Sequence, residues 1–295
     1  YIRPEKPKAK RALRGSGAGD DDDLFATDEA GNAAEFMAVK PWLGAIVAPS
    51  NAPKNNPNPP DKQLRLEWVH GYRAFDSRTN LVYNGMGDIV YPVAGLAVVY
   101  NSKRRAQKHF FGHNDDVRCL SQHPSNPNII ATGQNATVIK GKGTPPHICV
   151  WDSTDFTRTY ILKLTQADRA VRSVAFSGDG RYLASVSNDD NHTVRMWDWE
   201  KRVQITSAKG DTNPITLIRG NHKDPREFVS VGKRHAMFWT WDGRSLSGKR
   251  GSLGNNAGIT FFSVAFSEKG YACLGGEDGA IYVFVGGKVA KVFQN

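Results

Sequence analysis

Beyond residue 60 the apolar positions fall in short runs of β-branched and aromatic residues, separated by turn formers. Such runs, too short for amphipathic helices, predict β-strands. Five of them end in an aromatic residue, often followed by Asp: LAVVYN, HICVWD, TVRMWD, HAMFWTWD and AIYVFV, with the aromatic marks at Tyr100, Trp151, Trp197, Trp239 and Phe284. The marks stand 42 to 51 residues apart, close to the period of a four-stranded propeller blade. Ahead of the last four marks lie pairs of apolar runs joined by a polar turn: VRCLSQHPSNPNIIATG, VRSVAFSGDGRYLASVS, ITLIRGNHKDPREFVSVG and FSVAFSEKGYACLGG. In SGDGRYLASVS and SEKGYACLGG a Gly supplies the positive φ that a tight hairpin needs. One blade cannot hide both faces of its sheet, so the units are expected to stack around an axis. The expected fold is all-β, a β-propeller with about five blades spanning residues 64–295, and GGKVAKVFQN reads as the outer strand of the fifth. Five blades imply an open partial ring or further blades from additional sequence.

The front of the chain reads differently. Residues 1–34 join a basic block, YIRPEKPKAKRALR, to an acidic one, GSGAGDDDDLFATDE, and such charge blocks are expected to be a flexible solvated segment. The aspartates do not make a calcium loop: with Gly31 as the sixth position, Ala26 falls first and Met37 twelfth, where Asp and Glu are required. Residues 35–80 carry FMAVKPWLGAIVAPS and LRLEWVHGYRAFDSRTN around a Pro- and Asn-rich stretch at 49–61, which cannot pair in a sheet interior and is expected to be a loop.

Composition narrows the class. With 295 residues and 39% apolar content, a sizeable core is available. No apolar run reaches the roughly 18 residues of a membrane helix, and no leader opens the chain, so a soluble intracellular protein is expected. Cys119, Cys149 and Cys273 are far apart and set among apolar neighbours, which suits small buried hydrophobes. His147 and Cys149 lack a second pair at zinc-ligand spacing. A net charge of +10 and a pI near 9.5 point to an acidic partner surface.

The pair Gly112-His113 followed by Trp151-Asp152 resembles a WD repeat. In that family a His, a Ser or Thr, a turn Asp and the Trp form a hydrogen-bonded chain across the blade. The position six residues before each of the last four aromatic marks is Pro145, Asn191, Lys233 or Asp278, so this polar tie is expected to be largely abandoned. The ordered series FMAVKPWLGAIVAPS, LRLEWVHGYRAFDSRTNLVY, GDIVYPVAGLAVVYN, HFFGHNDDVRCLSQHP, IATGQ, PPHICVWDS and DRAVRSVAFS is similar to the echinoderm microtubule-associated protein-like family over roughly residues 35–200. Its first two members correspond to that family's HELP motif. The resemblance implies a WD-repeat-type propeller, part of a larger or tandem unit, with the HELP segment packed beneath or within it. Trp68, Gly71 and Tyr72 would then be structural, forming a buried clasp in which Arg73 pairs with Asp76 or a neighbouring carbonyl. Gly112, His113, Trp151, Asp152, Trp197, Asp198, Trp239 and Asp278 would hold the blades. It also implies a noncatalytic microtubule-associated role in the cytoplasm and cytoskeleton, with the ciliary or flagellar axoneme as a candidate location. Tubulin and other cytoskeletal or axonemal proteins would be the partners. Shorter members begin with a coiled coil, and no sustained heptad exists here.

No catalytic, cofactor or metal site is expected. The stretch from Ala136 to Gly143 has Ala where a phosphate loop needs its first Gly, and Gly where it needs Ser or Thr; it reads as a plain loop. Asp115 with Asp116, and Asp189 with Asp190, are adjacent turn carboxylates that point apart. The glycosylation triplets at Asn135 and Asn191 lack a secretory context. No zinc finger, helix-turn-helix or RNP-like strand supports nucleic-acid binding, and no membrane partner is expected. What remains is a binding module, for tubulin or as a general protein scaffold. Its candidate contacts are Lys103, Arg104, Arg105 and Lys108, together with Lys10, Arg11 and Arg14, facing an acidic partner.

Overall fold

The computed structural model describes residues 50–51, 57–59, 61–74, 76–139, 142–157, 159–254 and 258–294. The front segment 1–34, with Lys10, Arg11 and Arg14, and residues 35–49 lie outside them. The described residues form strands and turns and no helix.

Five four-stranded antiparallel sheets follow one another along the chain. The first comprises β1 (Val82–Tyr83), β2 (Ile89–Val93), β3 (Leu96–Asn101) and β4 (Ala106–Phe110). The second comprises β5 (Val117–Gln122), β6 (Ile129–Gln134), β9 (His147–Asp152) and β10 (Thr159–Lys163). Its third strand is delayed by a two-stranded ribbon, β7 (Thr137–Ile139) with β8 (Lys142–Thr144). That ribbon corrects the plain loop expected there: the β-branched Thr-Val-Ile run pairs, which a search for phosphate-binding glycines does not weigh. The third sheet comprises β11 (Val171–Phe176), β12 (Leu183–Ser187), β13 (Val194–Asp198) and β14 (Val203–Ala208). The fourth has β15 (Ile215–Gly220), β16 (Glu227–Gly232), β17 (His235–Trp241) and β18 (Leu246–Arg250). The fifth has β19 (Phe261–Phe266), β20 (Ala272–Gly276), β21 (Ile281–Val285) and β22 (Lys288–Phe293).

All five aromatic marks sit in the third strand of their sheet, so the period in the sequence is the period of the blades. β11 touches both β5 and β15, and β15 touches β19. The first strands therefore gather on one side, as they must around a common axis. Each carries a β-bulge one residue in, at Arg118, Arg172, Thr216 and Phe262.

Apolar residues fill the spaces between consecutive blades, and each space is its own core. Val90, Ala97, Val99 and Phe110 meet Leu120, Ile130, Cys149 and Trp151 between the first two blades, where Phe110 stacks on Trp151 at 4.3 Å. Trp197 and Trp199 close the second space, Trp239 and Trp241 the third, and Tyr282 and Phe284 the fourth. Each of these six side chains is almost fully buried, and large aromatics dominate such interfaces because of the area each removes from water.

The turns linking first to second strands abut from blade to blade. A Cβ on Gly180 would stand 2.1 Å from His123 Nε2, and one on Gly178 2.2 Å from the Asn221 carbonyl. Gly180 also has φ of +76°, as the hairpin reading required. Gly180→Ala is expected to lower the unfolding free energy by about 2–4 kcal/mol, from left-handed strain plus overpacking. Gly243, with φ of +98° and no atom within 4 Å of its missing Cβ, has strain alone, and Gly243→Ala is expected to cost about 1–2 kcal/mol. Urea denaturation of the two variants separates the turn-to-turn contact from the backbone effect.

Candidate functional site

The segment 67–80 crosses the face of the first blade from its outer strand to the axis. The face it covers is the one turned away from the second blade, and the registers of β2, β3 and β4 put Ile89, Tyr91, Val98, Tyr100 and Gln107 on it. Val69 donates its N–H to Gln107 Oε1 at 2.8 Å, and Gln107 Nε2 donates to the Val69 carbonyl at 3.0 Å. The side-chain amide thus pairs with the backbone as another strand would. Trp68 meets Tyr100 edge-on at 5.7 Å, and Tyr72 meets Tyr91 at 6.0 Å. Gly71, with φ of +119°, provides the bend between them.

At the axial end a charged knot fixes the segment to the second blade. Arg73 binds Asp76 through two nitrogens at 2.7 and 2.6 Å, and its remaining nitrogen reaches Asp116 at 2.9 Å. Arg118, on the bulge of β5, adds a bond to Asp76 at 3.1 Å, and Ser77 Oγ donates to the Arg118 carbonyl at 2.7 Å. Burial alone would push Asp76 up, but the Arg73 hydrogen bonds and the nearby Arg118 and Arg172 charges hold it below its ordinary value. The Asp76 bond in turn raises Arg73. Tyr72 OH donates to Asn80 Oδ1 at 2.6 Å, and Asn80 Nδ2 donates to the Arg73 carbonyl.

The expected pairing of Arg73 with Asp76 is present, but the expected burial of the aromatics is not. Trp68 is 39% exposed and Tyr72 48%, so neither is a buried plug. The burial lies with Arg73, Asp76 and Arg118, whose side chains are 14% exposed or less. The strap aromatics meet the sheet's tyrosines edge to face and keep part of their surface in water, whereas paired charges gain most where water is displaced.

The blade ties also correct the sequence expectation. In the second blade His113 Nε2 meets Thr132 Oγ1 at 2.6 Å, Trp151 Nε1 donates to that oxygen at 3.0 Å, and His113 Nδ1 meets Gln134 Oε1 at 2.9 Å. Trp197 donates to Ser185 Oγ and Trp239 to Ser230 Oγ, each at 2.8 Å. The indole-to-hydroxyl bond is kept in three blades, and it is this part of the tie that survives. The turn carboxylate is Asp189 in the third blade, bonded to Thr193 N and Oγ1; a fixed offset of six residues landed on Asn191 beside it. In the fifth blade Asp278 takes the Tyr282 hydroxyl at 2.6 Å. Asp152 and Asp198 serve turns, accepting from Thr154 and Lys201.

Folding brings His113 to His147 and Cys149, with ligand atoms within 4.8 Å of one another. The arrangement is a structural one. His113 has both nitrogens engaged, while His147 Nε2 and Cys149 Sγ both meet the Gly112 carbonyl at 3.0 and 3.4 Å. The two imidazoles stack within 13° of parallel, so their in-plane lone pairs do not converge. Burial pushes the Cys149 and Cys119 thiols up to about 12, away from the low values of nucleophilic cysteines.

Lys103, Arg104 and Arg105 occupy the exposed β3–β4 turn. Arg104 N is held by Asn101 Oδ1 at 2.8 Å, and Arg105 has φ of +49°. None of the three has an ion pair among the described residues. Lys108 differs: its ammonium donates to the Thr154 carbonyl at 3.1 Å and ties the first blade to the second.

Five stacked four-stranded blades led by a segment clamped over the first define a β-propeller. A family model described as "Echinoderm microtubule-associated protein first beta-propeller" matches residues 106–295, and one for the HELP motif matches residues 59–98. The chain belongs to the echinoderm microtubule-associated protein family. It is 35% identical over 275 residues to human (Homo sapiens) "Echinoderm microtubule-associated protein-like 2", covering 91% of this chain and 42% of that relative. It is 38% identical over 229 residues to "Echinoderm microtubule-associated protein-like 1" of Mus musculus, covering 76% of this chain and 28% of the relative. The chain thus spans less than half the length of these relatives. A solved structure of U3-55K superposes with a TM-score of 0.56 at 16% identity, covering 75% of this chain and 66% of that one; this similarity concerns the fold.

Two outcomes test the ties. Asp76→Ala leaves Arg73 and Arg118 partly buried without their shared carboxylate and is expected to destabilise the chain by about 3 kcal/mol. The second concerns pH. Burial pushes His113 down to about 4 from an ordinary 6.5, and His109, His123, His147 and His235 are lowered chiefly by burial too. As pH falls from 6.5 towards 4 the unfolded chain takes up protons that the folded chain refuses, so stability falls across that window. The urea midpoint is expected to be lower at pH 5 than at pH 7, with a smaller difference in His113→Gln.

Proposed function

We propose that the chain is a noncatalytic microtubule-associated module whose propeller docks on the acidic surface of the tubulin lattice. Membership of the echinoderm microtubule-associated protein family is the observation that carries this reading. The net charge of +10 and Lys103, Arg104 and Arg105 on an exposed turn, without an ion pair among the described residues, support it, because a basic surface draws in an acidic filament over the screening length. Lys108, held by the neighbouring blade, contributes field more than contact. Lys10, Arg11 and Arg14 would extend the basic surface. A cytoplasmic, cytoskeletal location follows from this role, with the axoneme as one setting. Chemistry has no place in it: the buried thiols stay protonated, and the partly buried histidine of the second blade is committed to hydrogen bonds.

Co-sedimentation of the chain with polymerised tubulin across a salt series tests the reading. Binding is expected at low ionic strength and is expected to weaken steeply with salt. A variant carrying Lys103→Glu, Arg104→Glu and Arg105→Glu is expected to bind about tenfold more weakly, since each surface charge contact contributes roughly 0.2–1 kcal/mol. Failure to pellet even at low salt would remove direct binding. Pelleting restored only by cell extract would favour the other reading, a protein scaffold that reaches the filament through a third partner.

A further inference from the structure

The space between the fourth and fifth blades is filled differently from the two before it. In the third and fourth blades the residue two places after the aromatic mark is tryptophan. Trp199 fills the gap between blades two and three, against Tyr160, Phe176 and His123. Trp241 fills the next gap, against Tyr182 at 4.1 Å. Both indoles are buried, at 6% and 5% exposure. In the fifth blade the same position is Gly286. A cleft of about 540 Å³ opens there, between β17–β18 and β20–β21 and the turn that follows, with Phe238, Phe266, Ala272 and Phe284 among its walls. The void is large enough for at least one big side chain.

The mouth of the cleft is basic. Lys249, the register partner of Phe238, and Lys288 line it, both exposed and both without an ion pair among the described residues. Arg250 lines it as well, partly engaged by the Arg234 carbonyl at 2.8 Å and Asp211 at 3.6 Å. The acid on the wall is Glu227, and it is occupied by Asn221 Nδ2 at 2.9 Å. Behind the wall stands Arg219, the register partner of Val229. It is half-buried with its guanidinium lowered by that burial, and among the described residues no ion pair reaches it. A slot that holds an indole in two sister interfaces, ringed here by cations, fits an aromatic side chain flanked by carboxylates.

We propose that the cleft between blades four and five is a docking site for an acidic peptide segment that inserts one aromatic side chain where the preceding blades carry their own tryptophan. The aromatic ring lies against Phe238 and Phe266, and flanking carboxylates meet Lys249 and Lys288. This site is separate from the basic β3–β4 turn and does not depend on filament binding.

Fluorescence anisotropy tests it with the full chain and a short fluorescein-labelled peptide of glutamates around a single tryptophan. Binding is expected, and replacing the tryptophan in the peptide by serine is expected to weaken it about tenfold, the effect of losing one buried aromatic anchor. Lys249→Glu with Lys288→Glu, at two exposed positions, is expected to weaken it about tenfold. The variant with Lys103→Glu, Arg104→Glu and Arg105→Glu is expected to bind as the parent does. The proposal is overturned if the tryptophan peptide does not bind. It is equally overturned if the serine peptide binds as well, or if binding survives charge reversal at the cleft and is lost on reversal at the β3–β4 turn.

Discussion

A β-sheet with two apolar faces is stable only when both are covered, and this constraint organises the molecule. Each inner blade solves it by lying between two neighbours, which is why four separate cores, and no single one, hold the chain together. Among the described residues the first blade has a blade packed on one face only. Its other face carries Tyr91, Val98 and Tyr100 and is covered by the segment 67–80, held at the outer strand by Gln107 and at the axis by Arg73 and Asp76. This segment, the front part of the HELP match, is in this sense a substitute half-sheet, supplied as an extended strap. At the opposite end, the outer face of the fifth blade leaves Ile281 and Val285 50% and 43% exposed, and among the described residues no comparable strap covers them. Arg78, just past the strap, does lie 5.9 Å over the ring of Phe262 on the first strand of that blade.

Polar ties act on a different scale from these cores. The bond from each mark tryptophan to a Ser or Thr of the second strand adds about 1 kcal/mol when made, but a buried indole N–H left without it costs more. Its role is to fix where the large ring sits, and thereby how the next blade packs. The knot of Arg73, Asp76, Asp116 and Arg118 does the same for the strap. Such knots specify geometry more than they add net stability, because the desolvation of the ions offsets much of their attraction.

Much of the fold was legible in the sequence because the relevant signal was periodic. The aromatic marks, the strand pairs before them and the Gly180 and Gly270 turns all recur at blade spacing, and each lands in its expected place. The pairing of Arg73 with Asp76 was also within reach, being local in sequence. What escaped was whatever depends on distant strands meeting. Asp116 and Arg118 join the knot from beyond the first blade, and Asn191 was scored in place of Asp189 because loop length shifts a carboxylate that geometry, not counting, positions. The β7–β8 ribbon hid inside a stretch rich in Gly and Lys. The cleft at Gly286 is a missing side chain, and a glycine in a turn reads in sequence as ordinary punctuation until the two sister tryptophans are seen buried in the same place.

The central claim is that the strap is structural and that its knot keeps the first blade covered. Amide hydrogen exchange of the parent chain and of Arg73→Met reads this directly, because protection reports local opening. The account predicts faster exchange confined to β2, β3 and β4, with the third to fifth blades unchanged. Unaltered protection across the first blade, or a uniform loss across all five, would contradict it.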